Sequence, residues 1–118
     1  MDNTIRKHNL NKELPSHYAD KLGVGYAEHV NKVHKKENGQ YFTPLEIATF
    51  MASYSEFSGK KVRILDPGCG TAVLSCALIE YLIETNKSLE SVELIAYETD
   101  INLLSKAQLV LDYLKVWG

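Results

Sequence analysis

Residues 64–74 read I-L-D-P-G-C-G-T-A-V-L, and this segment carries the strongest indication of the fold. Apolar residues lead to an acidic residue, a glycine-rich turn follows, and an apolar helical pattern begins after the turn. A strand, a turn and a helix in this order bring backbone N–H groups and a helix N-terminus to one edge of a sheet. Open α/β sheets bind nucleoside-type ligands at that edge. The segment therefore predicts an α/β domain with a ligand site at the glycine-rich turn.

The spacing of apolar residues on either side predicts two helices and then a strand, a helix, a strand and a helix. The strands are predicted at 61–66 and 91–98, and the helices at 17–36, 44–57, 71–85 and 100–117. A βαβα order implies parallel strands joined by a right-handed crossover.

Local signals set the expected ends of the first two helices. Ser16 is the predicted N-cap of the first helix, which Gly23 and Gly25 weaken by about 1 kcal/mol each, so a break near them is possible. Thr43 is the predicted N-cap of the second helix, followed by a proline at its first position. Glu46 would complete a capping box with Thr43.

Composition limits the class of protein. The chain has 118 residues, 45% of them hydrophobic and 24% charged, which is ordinary for one small globular domain. Its formal net charge of −2 lacks the basic excess of a stand-alone DNA-binding module. Two cysteines form no disulfide framework, the histidines have no metal-ligand spacing, and no apolar run is long enough for a membrane. We expect a cytoplasmic protein without a metal site.

Three segments carry a family resemblance. Residues 66–71, D-P-G-C-G-T, resemble the motif that binds S-adenosyl-L-methionine (AdoMet) in Rossmann-like methyltransferases, in the version of the N6-adenine DNA methyltransferases. Residues 39–44, G-Q-Y-F-T-P, and 97–100, Y-E-T-D, are similar to two further segments of the same enzymes, which include methylases of restriction-modification systems. The resemblance covers roughly residues 38–117 and leaves the first 37 unassigned.

The resemblance implies a partial Rossmann-like, class I AdoMet-dependent methyltransferase fold, with two N-terminal helices, then βαβα, and an incomplete sheet. The expected domains are an N-terminal helical segment at 1–37 and a partial AdoMet-binding domain at 38–118.

The resemblance also implies a cofactor site. Its predicted residues are Tyr41, Phe42, Thr43, Asp66, Pro67, Gly68, Cys69, Gly70 and Glu98. By resemblance, Asp66 holds the amino group of AdoMet, Glu98 binds the ribose hydroxyls, and Thr43 contacts the carboxylate end. Asp100 is predicted to cap the last helix. The family usually has glycine where this chain has Ala72, and the extra methyl costs little if the φ of Ala72 is negative.

The family's catalytic motif, [N/D/S]-P-P-[Y/F], is absent from the sequence, which contains no Pro-Pro pair. We therefore expect no catalytic residue here and no methyl transfer by these residues alone. DNA would be contacted by parts outside this chain. Two parallel strands leave two open sheet edges, which dimerisation, strand exchange or a second chain could cover. Otherwise the sequence is that of a truncated enzyme.

The leading hypothesis is the AdoMet-binding N-terminal part of a site-specific DNA adenine-N6 methyltransferase of a restriction-modification system. One alternative is a non-catalytic AdoMet-binding or assembly module. Another is a methyltransferase that acts on RNA or protein. A strand and turn without a ligand and a nicotinamide-binding Rossmann domain are further alternatives, although the turn lacks the G-x-G-x-x-G spacing of the latter.

Overall fold

A computed structural model of the chain describes residues 13–29 and 43–117. These residues form α1 (Pro15–His29), α2 (Leu45–Ala52), β1 (Lys61–Pro67), α3 (Val73–Thr85), β2 (Ser91–Tyr97) and α4 (Ile101–Trp117). The chain is thus a mixed α/β protein with the predicted order of elements. Within the described ranges, no helix is both long and apolar enough to cross a membrane.

The two strands form a parallel sheet, in which Lys61 lies opposite Ser91 and Pro67 lies opposite Tyr97. Burial alternates strictly along both strands, so one face of the sheet is half-buried and the other is exposed. The half-buried face is the one toward α3, because the Ser75 hydroxyl on α3 donates a hydrogen bond to Asp66 on that face. Parallel sheets are normally covered on both faces, and the described residues cover one.

The core lies between the helices. Helix α1 packs across α3 and α4, and α2 packs beside α3. The buried residues at these contacts are small, which lets the helix axes approach closely. They are Ala19, Ala48, Ala52, Ala72, Val73, Cys76, Ala77 and Val110.

Helix α1 begins at Pro15 rather than after Ser16, so the prediction of Ser16 as its N-cap is wrong. A residue of α3 supplies the cap instead. The Glu80 carboxylate accepts hydrogen bonds from the Ser16 backbone N–H and from its hydroxyl, both at 2.7 Å. The helix continues through Gly23 and Gly25 without a break because α3 and α4 support one side of it. Its predicted end near residue 36 lies outside the described residues.

Helix α2 is shorter than predicted. Pro44 is its N-cap, no side chain caps it, and Glu46 falls at the second helical position, so the predicted capping box with Thr43 is wrong. The helix ends at Ala52 rather than near residue 57. The next N–H groups bond three residues back, Ser55 to Ala52 among them, which tightens the chain out of the helix.

The remaining elements agree with the sequence within one or two residues. Helix α3 begins at Val73 rather than at 71, because Ala72 has a left-handed conformation. Helix α4 begins at Ile101, and Asp100 caps it as predicted. The Asp100 Oδ1 atom accepts hydrogen bonds from the N–H groups of Asn102 at 2.8 Å and Leu103 at 3.2 Å.

Candidate functional site at the carboxyl edge of the sheet

The glycine-rich turn after β1 lies against the end of β2. The N–H groups of Gly68 and Cys69 both donate to the Tyr97 carbonyl, at 2.8 and 2.9 Å. The next N–H, that of Gly70, donates to Glu98 Oε1 at 2.8 Å. The sequence predicts that these N–H groups converge on this edge, and they do. They bind β2 and Glu98, however, so they hold the turn in shape, and the carboxylates remain to receive a ligand.

The two glycines of the turn are required by their backbone conformation. Gly68 has a φ of +121° and Gly70 a φ of +57°. A Cβ added at Gly68 would meet no atom within 4 Å, so space does not select glycine at that position. The positive φ does, because side chains other than hydrogen clash with the backbone there.

Ala72 has a φ of +70° and a ψ of 28°, which contradicts the condition under which its methyl group would cost little. A left-handed conformation costs about 1–2 kcal/mol for a residue with a Cβ. The residue is fully buried. Its N–H donates to the Cys69 carbonyl at 2.7 Å, and its carbonyl accepts from the Cys76 N–H at 3.0 Å. These two bonds maintain the strained conformation where the turn becomes α3.

Glu98 follows β2 directly, and two backbone groups fix its carboxylate. Oε1 accepts from the Gly70 N–H, and Oε2 accepts from the Asp100 N–H at 3.0 Å. A carboxylate has about four acceptor sites. Two of these acceptor sites on Glu98 have no hydrogen-bond partner among the described residues.

The second carboxylate of the site is that of Asp66, which is half-buried near the end of β1. It accepts a hydrogen bond from the Ser75 hydroxyl, which orients it from α3. Asp66 and Glu98 therefore lie near the carboxyl ends of two neighbouring strands, with the glycine turn between them. Both are acceptors, which suits a ligand with amino and hydroxyl donors.

Cys69, inside the turn, is a neutral thiol at neutral pH. Burial, together with the nearby negative charges of Asp66 and Glu98, raises the pKa of Cys69 to about 11. Burial also raises the pKa of Cys76 to about 12, with smaller contributions from neighbouring acidic groups. Because the thiolate is the reactive form, neither cysteine is suited to nucleophilic chemistry.

The segment before α2 is the third predicted part of the site. Leu45, in the first turn of α2, packs against the buried cluster of the helices, as Cys69 does. Thr43, two residues earlier, is half-buried, and its predicted contact with the cofactor stays a prediction. Tyr41 and Phe42 lie outside the described residues, so their predicted roles stay predictions.

The structure adds residues that the sequence did not assign to a site. The Tyr26 hydroxyl donates to Asp100 Oδ2 at 2.7 Å, and the Thr71 hydroxyl donates to the Ala19 carbonyl at 2.8 Å. Ser75 orients Asp66. No local signal points to these contacts, since in the first pair the partners are 74 residues apart.

Other features of the described residues do not compete with this edge as a candidate site. A groove of about 590 Å³ between α3, α4 and β2 is lined by Ser91 and other residues at the opposite end of β2, and by none of the predicted cofactor residues. Among residues 13–29 and 43–117, no cluster of three or more His, Cys, Asp or Glu side chains is arranged to hold a metal ion.

Comparison with known proteins identifies the family. The family model described as N-6 DNA Methylase matches residues 19–110. This match begins inside α1, earlier than the segments that carry the resemblance, and it includes both strands and the glycine turn. No curated protein and no solved structure matches the chain. The family match covers most of the sequence, and the chain therefore belongs to the N-6 DNA methylase family.

Proposed function

We propose that this chain is the AdoMet-binding N-terminal part of a site-specific DNA adenine-N6 methyltransferase of a restriction-modification system, with a partial Rossmann-like methyltransferase fold. Membership of the N-6 DNA methylase family supports the reaction class. One observation carries the cofactor assignment: the Glu98 carboxylate is fixed at the end of β2 by two backbone N–H groups and retains free acceptor positions.

The donors and acceptors of this edge fit AdoMet. Glu98 would accept hydrogen bonds from the ribose hydroxyls, and Asp66 would accept one from the amino group of the methionine part. The turn from Pro67 to Gly70 would lie against the sugar and the methionine chain, with Thr43, Tyr41 and Phe42 on the side of α2. The cofactor would supply an electrophilic methyl group on its sulfonium.

The target adenine and most of the DNA would be held outside these residues. A chain with a net charge of −2 and no Pro-Pro pair has neither the basic excess of a DNA-binding module nor the family's catalytic motif. The exposed face of the sheet fits this division of labour. Its outward side chains include Leu65, 63% exposed, and Tyr97, 60% exposed. We propose that further polypeptide, from a second copy, a second chain or more of the same protein, covers this face and the open edges.

The test is calorimetric titration of the chain with AdoMet and S-adenosylhomocysteine. Glu98→Ala removes a charged acceptor. A hydrogen bond to a charged group is worth about 1.5–3 kcal/mol. We therefore expect affinity to fall by at least about tenfold. The matched control is Glu93→Ala within β2, because Glu93 is exposed and pairs with Arg63. That variant should bind as the wild type does.

A thermal melt of each variant shows whether it is still folded. This control is needed because Glu98 also stabilises the turn. Equal affinity in the wild type and in folded Glu98→Ala would remove Glu98 from the site. No binding to any folded form would leave the cofactor assignment without support.

A non-catalytic AdoMet-binding or assembly module is the second candidate. The absence of a Pro-Pro pair favours it. A methyl-transfer assay on DNA separates the two when the chain is mixed with a candidate partner that carries the missing motif. Transfer only in the mixture supports the enzyme, and no transfer despite a stable complex supports the module. The family match favours DNA over RNA or protein as the methyl acceptor.

A further inference from the structure

Helix α1 contacts both loops of the candidate site through one of its faces. Ala19 and Tyr26 are seven residues apart, which is about two helical turns, so both lie on the same side of α1. The Ala19 carbonyl accepts a hydrogen bond from the Thr71 hydroxyl at 2.8 Å, in the glycine turn. The Tyr26 hydroxyl donates to Asp100 Oδ2 at 2.7 Å, in the loop between β2 and α4.

These contacts complete a ring that passes through Glu98. The ring consists of hydrogen bonds and of the stretches of backbone between them. From Thr71 the chain leads to its neighbour Gly70, whose N–H donates to Glu98 Oε1 at 2.8 Å. The other carboxylate oxygen accepts from the Asp100 N–H at 3.0 Å. Asp100 then returns to α1 through Tyr26. Both oxygens of Glu98 thus accept from backbone N–H groups of loops that are hydrogen-bonded to α1.

The residues where α1 meets the glycine turn are shielded from water, and so is Tyr26. Tyr26 is 4% exposed, Thr71 in the glycine turn 1% and Ala19 0%. The bond from Tyr26 to Asp100 is partly buried, and a hydrogen bond to a charged group there is stronger than one at the surface. The Tyr26 hydroxyl is therefore placed to restrain the Asp100 loop firmly, although it lies too deep to be the ligand contact itself.

We propose that Tyr26 is a positioning residue for Glu98, the carboxylate that would bind the cofactor. Through Asp100, Tyr26 holds Glu98 in the orientation that accepts the ribose hydroxyls. This inference rests on the proposed function. A carboxylate that is already oriented binds its ligand more tightly. The apparent affinity of a site is proportional to the fraction of molecules in which the site is in its binding conformation. Helix α1 thereby acts as a brace for the site.

The test compares Tyr26→Phe with Tyr113→Phe in the full chain. Tyr26→Phe keeps the ring and its packing and removes the hydroxyl. Tyr113→Phe is the matched control, since the Tyr113 hydroxyl near the other end of α4 donates to the Glu13 carbonyl, just before α1. Amide hydrogen exchange of Gly70 and Asp100 is measured by NMR without ligand, and AdoMet affinity by calorimetry.

In Tyr26→Phe we expect both amides to exchange about tenfold faster, since exchange reports local opening. AdoMet affinity should fall by about tenfold, equivalent to about 1.4 kcal/mol. Tyr113→Phe should change neither readout, even if its melting temperature falls equally. A merely structural role for Tyr26 would lower the melting temperature alone.

The outcomes separate this inference from the proposed function. Unchanged exchange at Gly70 and Asp100 in Tyr26→Phe would overturn the brace, whatever the affinity. Faster exchange with unchanged AdoMet affinity would overturn the positioning role. A folded wild-type chain that does not bind AdoMet, with exchange still faster in the variant, would overturn the proposed function and the positioning role while retaining the brace.

Discussion

Replacing Ala72 with glycine tests the strain at the start of α3. Ala72 has a φ of +70°, a conformation in which its methyl group is strained. Relief of that strain should contribute about 1–2 kcal/mol. Two losses oppose the gain. The buried methyl is worth about 0.8 kcal/mol, and the added freedom of glycine in the unfolded chain costs about 0.4–1 kcal/mol. The net change in the free energy of unfolding should therefore lie within about 1 kcal/mol of zero.

Ala77→Gly is the matched control. Ala77 is 5% exposed and lies in α3 itself, five residues after the strained position. There glycine loses the same buried methyl and also about 1 kcal/mol of helix propensity, with no strain to relieve. The expected loss is about 2 kcal/mol, so the two alanine-to-glycine variants should differ by about 1–2 kcal/mol.

Urea unfolding at equilibrium, followed by circular dichroism, measures the two variants side by side. We expect the urea concentration at the midpoint of unfolding to be close to the wild-type value for Ala72→Gly and clearly lower for Ala77→Gly. The slopes should remain equal, so that the midpoints report stability. If Ala72→Gly lost as much stability as Ala77→Gly, then Ala72 would not be strained in solution. The left-handed start of α3 would be refuted.

Two further predictions concern the turn and the cap of α1. Gly68→Ala should destabilise the chain by about 1–3 kcal/mol although the added methyl has room, because the φ of +121° disfavours any side chain; a melt equal to wild type would contradict this. Burial raises the pKa of Glu80 above its ordinary 4.5, although hydrogen bonds from Ser16 oppose the shift. The folded state thus retains the Glu80 proton to a higher pH than the unfolded state. The protonated carboxyl therefore contributes to the free energy of unfolding at low pH, and this contribution is lost as the pH rises through the folded pKa. Relative to Glu80→Gln, the wild type should lose stability in melts as the pH rises from below 4.5 through the folded pKa of Glu80, and a parallel pH dependence of the two would contradict the burial of this carboxylate.

The elements of the βαβα unit were predictable from the sequence. Alternating apolar residues in the strands and helical spacing in α3 and α4 are local patterns, and each is long enough to outweigh its flanks. The strand ends differ from the structure by one residue. The cap of α4 by Asp100 was also predictable, because an N-cap needs only its own side chain and the next three residues. Asp66 and Glu98 lie at the same edge of the sheet, since the carboxyl ends of neighbouring parallel strands share that edge.

Local signals failed where a contact from elsewhere in the chain competed. Ser16 has the chemistry of an N-cap, but the Glu80 carboxylate, 64 residues away, accepts its hydrogen bonds. Gly23 and Gly25 weaken a helix in isolation, and packing against α3 and α4 supports it. Propensity is a weak preference that tertiary context overrides.

The contacts that hold the candidate site depend on tertiary packing. The Tyr26 hydroxyl meets Asp100 and the Thr71 hydroxyl meets Ala19 because α1 crosses both loops, and the sequence separation of 74 residues in the first pair leaves no local trace. The conformation of Ala72 likewise depends on the bonds that close the turn. Sequence periodicity reports which face of an element is apolar. The partner of a buried hydroxyl depends on the packing of whole elements, and here that packing determines how the Glu98 carboxylate is oriented.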